Sequence, residues 1–445
     1  MGKQGSLIWL WLIAALLMAV VVATPFAFRV YGDHAYMALA LAAGLLAVAA
    51  TPFAERAPQT HALWLIFGAA VALRLFLLFT EPLLSTDIYR YVWDGKVQAA
   101  GINPYRYVPA NELLAHLRDM AVYPKINRAD YAVTIYPPVA QMFFFLVTRL
   151  GESVFVMKLA FLACEAATIA AIVLLLQRLG RPVTRIVAYV WHPLPIWEIA
   201  NNGHIDALMV TLMMVGIWLA VSGRNTFGAV SVALAGLAKP FAVLALPALW
   251  KPWDWKAPVA VVAAMVLCYA PYLSVGRGVF GFLTTGYLSE ESHTNGDVTW
   301  PLAAWRWLAG QIPGDYYVYL AISALIIAGL SILAASRDSR TPQIVITDVA
   351  RLLMAFLLLL SPHYPWYFLV LTPFVALIGG APLWAVTLGA LLLQEEIDWD
   401  FFIPVLTRKS ALYGMFFAAC AYVAWQAWRQ KNAATMVERG VIQPD

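Results

Sequence analysis

The sequence predicts an all-α polytopic membrane protein, and three observations carry that prediction. Of 445 residues, 62% are hydrophobic and 12% charged, against the roughly 25% charged that soluble domains carry. Mean hydropathy is +0.74. Apolar runs of about 20 residues, the length of a bilayer-spanning helix, recur along the chain, and the alternation of a membrane β-strand is missing. In such a chain the net charge of +4 orients loops rather than binding nucleic acid. Cys164, Cys268 and Cys420 sit in separate apolar runs without CxxC spacing and read as small core residues. Most Trp and Tyr residues lie at the ends of runs, where interfacial belts form, and a few in loops are suited to stacking on sugar rings.

In chain order, residues 6–28, 35–53 and 62–80 form three spans, the first too long for the core of a cleaved leader. With Lys3 and Arg56 cytoplasmic, the positive-inside rule puts the following loop, 81–136, on the outer face. Within it, 110–120 has the spacing of an amphipathic surface helix, and 134–151 is too short in its apolar part to cross fully. Span 154–177 leads to Arg178, Arg181 and Arg185, the densest basic loop. Spans 185–200 and 205–222 follow. Residues 226–250 form two apolar halves broken at Lys239-Pro240, either a hairpin or one kinked span, with Lys239 expected on the inner side. Span 257–275 opens the second outer loop, 276–300. Segments 316–335, 345–361, 365–379, 382–395 and 411–428 complete about eleven spans, with a loop 395–404 outside. No soluble domain is expected: residues 1–445 read as one transmembrane unit.

The stretch 81–108, EPLLSTDIYRYVWDGKVQAAGINPYRYV, gathers Asp87, Arg90, Asp94 and Lys96 among aromatics just past a span. Charges at a membrane edge mark function by default. The segments DIYRYVWDGKVQAAGINPY, TIYPPV, NGHIDAL, GLAKPFAVLALP and SPHYPWYF follow in order over 87–368. Together they resemble the polyprenyl-phosphate-mannose-dependent mannosyltransferase branch of the glycosyltransferase C superfamily, including the bacterial domain-of-unknown-function enzymes grouped with it. The resemblance implies a glycosyltransferase C-type fold of about 11–13 transmembrane helices with interfacial helices in the first outer loop. It also implies a polyprenyl-phosphate sugar donor and a lipid or glycan acceptor. The enzyme would sit in the bacterial inner membrane, its site facing the periplasm.

Removing the acceptor hydroxyl proton as the anomeric carbon turns electron-poor takes one carboxylate. A phosphate leaving group needs only cations or donors to hold it, so no metal or other cofactor is expected. Asp87, matching the family's acidic position, is the candidate catalytic base; capping of the helix after it is the competing role. Arg90, Asp94, His204, Asp206, His363 and Tyr364 are the candidate donor-phosphate or substrate contacts. For Arg90 the alternative is a local ion pair, for Asp94 a helix end, for His204 capping by Asn202 with Glu198 as partner, and for His363 a place in an aromatic belt. Glu290, Glu291, His293 and Asp297 fit no metal pattern and are expected in an acceptor-binding lid. The rival reading is a transporter or flippase of lipid-linked sugars, which would place charges at the midplane of several spans and show repeated halves.

Overall fold

The computed structural model describes residues 2–282, 286, 296–394 and 404–438, the last six of these by backbone only. All regular structure among them is helical, which matches the predicted class. Residues 287–295, with Glu290, Glu291 and His293, and the 395–403 part of the last polar loop lie outside the described residues.

The first helix, α1 (Lys3–Arg56), is interrupted at Gly32, whose φ of 64° and ψ of −152° only glycine adopts readily. Its two halves fold back on each other: the Trp9 and Phe53 rings stack at 6.1 Å. Two of the predicted spans are therefore one helical hairpin. Then come α2 (Gln59–Leu78), α3 (Asp87–Ala99), α4 (Pro138–Thr148) and α5 (Val154–Arg178).

Among the described residues, fewer helices are long and apolar enough to span than the sequence suggests. Six helices among the described residues are long and apolar enough, counting α1 once, with a seventh if the pair Pro195–Asn201 and Asp206–Val221, bent by 118°, is one span. Segments 365–379 and 382–395, expected as two spans, fold as short apolar helices within 365–377 and 381–393, and 226–250 forms two short halves, Asn225–Gly236 and Pro240–Leu249, broken where the hairpin reading breaks them. Pro240 and Pro365 open 3₁₀ stretches, Pro240–Ala245 and Pro365–Leu371, while Pro247 and Pro382 lie in the first turns of the short α-helices Leu246–Leu249 and Ala381–Gly389. Buried against their neighbours, they need not reach both faces of a bilayer. The amphipathic segment 110–120 is likewise a short 3₁₀ helix, Glu112–Leu117.

The basic loops gather at one end of the bundle. Arg185 pairs with Glu55 at 2.9 Å and donates to the Ala376 carbonyl, while Arg181 reaches the Ile378 carbonyl and Gln343. Asp87 follows the far end of α2. There the buried Lys158 of α5 donates to the Leu77 and Thr80 carbonyls at 2.6 and 2.8 Å, satisfying the carbonyls a helix end leaves open.

Between these ends, Arg74 of α2 meets Glu165 of α5 at 2.7 and 3.2 Å and donates to the Val190 carbonyl at 2.5 Å. A buried pair of this kind contributes little net stability, but losing one partner strands a charge. Arg74→Ala should therefore cost about 3–5 kcal/mol, read as a drop in thermal unfolding temperature in detergent. Replacing both residues by Met should recover most of it.

Candidate active site

Asp87 opens α3, but its carboxylate does not cap that helix. The helix has no side-chain cap at Thr86, and the Asp87 backbone N–H donates to the Ser85 hydroxyl at 3.2 Å. The carboxylate faces the loop instead: Oδ1 accepts from the Asn127 amide at 2.7 Å and Oδ2 from the Tyr136 hydroxyl at 3.3 Å. His204 Nδ1 lies 4.0 Å from Oδ2. The Asp87 side chain keeps 21% of its surface and opens on a cavity of about 340 Å³. Burial and the neighbouring Asp87 charge raise the Tyr136 phenol well above its ordinary pKa, so it remains a donor at assay pH.

The segment that delivers Asp87 is held by two asparagines. Asn201 accepts from the Leu83 N–H at 3.0 Å and donates to Thr80 Oγ1 and the Glu81 carbonyl. Asn202 accepts from the Leu84 N–H at 3.1 Å, so it holds this segment rather than capping a helix. Next, Gly203 turns the chain with φ +67°, and a Cβ there would clash with Ile88 Cδ1. The close approach is what sets His204 beside Asp87.

Lys239 is on the Asp87 cavity, not at the opposite end as the sequence suggests. The cause is a return turn. Helix Asn225–Gly236 stops, the Leu237 carbonyl accepts from the Val139 N–H at the start of α4 at 3.0 Å, and the chain reverses with Gly236 packed on Val243. Both oxygens of the fully buried Asp206 accept from Lys239 Nζ at 2.8 Å. Asp206, expected to touch substrate, instead sits behind Lys239 and aims it.

The remaining wall is aromatic. Tyr364 stacks on Trp366 at 4.3 Å, and Trp366 on the His204 ring at 4.4 Å. Tyr91 and Tyr367 also line the space, the former stacked on Phe144 of α4 at 4.6 Å. Tyr364 is thus where the sequence puts it, whereas His363 is next to the cavity in sequence but not among its lining residues.

Two further expectations are corrected. Arg90 is buried, donating to Asp94 Oδ1 at 2.8 Å and to the Ala132 carbonyl at 3.1 Å. Asp94 takes its other contact from Gln141 at 2.9 Å. Neither lines the cavity; the pair ties α3 to α4 and to the loop before it. Asp297, the described member of the expected lid group, pairs with Arg306 at 2.8 Å.

A family model described as alpha-(1->6)-mannopyranosyltransferase, N-terminal domain, matches residues 11–254. The chain belongs to this mannosyltransferase family. It is 27% identical over 387 residues to alpha-(1->6)-mannopyranosyltransferase A of Mycobacterium tuberculosis, covering 78% of this chain and 72% of that protein. It is 26% identical over 176 residues to alpha-(1->6)-mannopyranosyltransferase A of Corynebacterium glutamicum, covering 38% of this chain and 35% of that protein. No solved structure matches.

The part of this mannosyltransferase matched by the family model contains Asp87, Asn127, Tyr136, His204, Asp206 and Lys239, and ends before the aromatic segment at 364–367. Asn127 and Arg128 line the cavity too, and sequence reading passes over them. Arg128 holds φ +54°, a left-handed conformation costing a non-glycine residue roughly 1–2 kcal/mol, and such outliers collect at functional sites. Nothing in the string KINRADY announces that backbone; its Asn-Arg pair marks only a turn.

Gly203→Ala should cost about 1–3 kcal/mol of stability through strain and overpacking and lower activity by displacing His204. Adding Ile88→Ala should recover part of both, measured by thermal unfolding and by mannosyl transfer in one preparation.

Proposed function

We propose that this mannosyltransferase moves mannose from a polyprenyl-phosphate donor to a hydroxyl of a lipid or glycan acceptor, with Asp87 as general base. The observation that carries this reading is the half-open Asp87 carboxylate in a cavity that also holds a lysine ammonium and a stacked aromatic wall. The acceptor O–H bond breaks as its oxygen attacks the anomeric carbon, and the proton passes to Asp87. Asn127 and Tyr136 hold the carboxylate in place while this happens. The bond from the anomeric carbon to the phosphate oxygen breaks with its electron pair on phosphate, where Lys239 and Arg128 supply positive charge. Fixed cations in a confined space make a metal unnecessary in this scheme. Tyr364 and Trp366 offer the flat apolar surface on which a sugar ring stacks.

The same reading puts the site at the outer face of the bacterial inner membrane. Support comes from the clustering of Arg181 and Arg185 at the end of the bundle opposite Asp87, which the positive-inside rule makes cytoplasmic. A transporter finds less support: the Arg74–Glu165 charges inside the spans are closed on each other and on the Val190 carbonyl.

Purified protein given radiolabelled polyprenyl-phosphate mannose and a mannosylated acceptor tests the proposal. Asp87→Asn should lower kcat by about 10²–10⁴ with the unfolding temperature unchanged; full activity would remove the base assignment. Chelation by EDTA should leave the wild-type rate unaltered, and a loss restored by a divalent cation would remove the metal-free scheme.

A further inference from the structure

Glu198 is fully buried, and its placement is costly unless it does something. Its Oε2 accepts from the Asn202 amide at 3.0 Å and lies 3.3 Å from His204 Nε2, while neither Oε1 nor that Nε2 has a hydrogen-bond partner among the described residues. Lys239 gives both of its short contacts to Asp206 instead. An isolated carboxylate in such a place costs several kcal/mol, which a proton removes.

The orientation of Asn202 then decides the hydrogen-bond direction. Its Oδ1 accepts from the Leu84 backbone N–H, which can only donate, so its amide NH₂ faces Glu198. Oε2 must accept from Asn202, and it also faces His204 Nε2. A neutral carboxyl has one O–H to place: on Oε1 it would have no acceptor, whereas on Oε2 it reaches the unpartnered His204 Nε2. The His204 ring is clamped by its stack on Trp366, so its other nitrogen, Nδ1, is the one directed at Asp87.

Building on the proposed role of Asp87, we propose that Glu198 carries its proton on Oε2 and donates it to His204 Nε2, fixing His204 as the tautomer with hydrogen on Nδ1. That hydrogen faces Asp87 Oδ2 and joins Asn127 and Tyr136 in holding the base. The 4.0 Å separation closes when acceptor fills the cavity, since hydrogen bonds in empty sites are often long. Glu198 and His204 are positioning residues in this arrangement, and no proton leaves either during turnover.

Glu198→Gln tests it without changing shape. The Asn202 NH₂ draws the new carbonyl oxygen into the Oε2 place, where it accepts from Nε2–H and forces the other tautomer, leaving an Nδ1 lone pair facing Asp87. We expect kcat to fall about 10- to 100-fold, the range for groups that orient a functional histidine, with KM little changed and the unfolding temperature retained. When Glu198→Gln is combined with Asn202→Asp, the introduced amide NH₂ has an acceptor on each side, and kcat should recover. Nitrogen-15 shifts of His204, assigned by loss of the signal in His204→Asn, should show hydrogen on Nδ1 in the wild type and on Nε2 in Glu198→Gln. Full activity of Glu198→Gln, or hydrogen on Nε2 in the wild type, would overturn the inference whether or not the double variant folds. Asp87→Asn in the same assay separates the two levels: if it is active, the base assignment fails, and the nitrogen shifts still judge the Glu198–His204 pair.

Discussion

The candidate site depends on how the chain satisfies its backbone where a helix stops inside the protein. In a bilayer, every N–H and C=O needs a partner from the protein itself, and the chain bends by 118° between Pro195–Asn201 and Asp206–Val221. Asn201 and Asn202 turn that break to use. Their amides bond the irregular segment 80–84, which would otherwise bring unpaired backbone into the core. Asp87 begins a helix just after that segment, and His204 directly follows the same asparagines and Gly203. Asp87 and the His204 imidazole are therefore set by one short group of side-chain to backbone bonds.

Around this point, the rest of the architecture provides rigidity. The Arg90–Asp94–Gln141 chain and the Tyr91–Phe144 stack join α3 to α4. Gly95 lets them approach so closely that a Cβ would collide with the Phe144 carbonyl oxygen. Arg74 and Glu165 lock α2 to α5 below. Charged residues thus differ in surroundings: Arg90–Asp94 and Arg74–Glu165 are closed on one another and hold helices together, whereas Asp87, and Lys239 with Asp206 behind it, line the cavity.

Much of this is legible in the sequence. Composition and apolar runs give the helical membrane class, and Asp87 is visible because a carboxylate just past a span has few structural reasons to be there. The spacing of Arg90 from Asp87 suggests a local ion pair, but the partner it takes is Asp94 on its other side, and that choice depends on α4 and the Ala132 carbonyl, distant in sequence. Lys239 reads as lying at the wrong end even though a hairpin is one reading of 226–250, because Pro240 marks the break without its depth. Asn127 and Arg128 sit in a stretch with no periodicity, where only the folded backbone reveals the left-handed residue. Glu198 reads as a partner of His204 from its place one turn earlier, but only the fold shows Asn202 and His204 on either side of one of its oxygens.

The bond from the Val139 N–H to the Leu237 carbonyl has a mechanical consequence. It hinges the reversing segment that carries the lysine to the first turn of α4, shortly after the tyrosine that touches Asp87. Tilting α4 would drag ammonium and carboxylate supports together, so the cavity's two chemical poles behave as one lever rather than as independent parts.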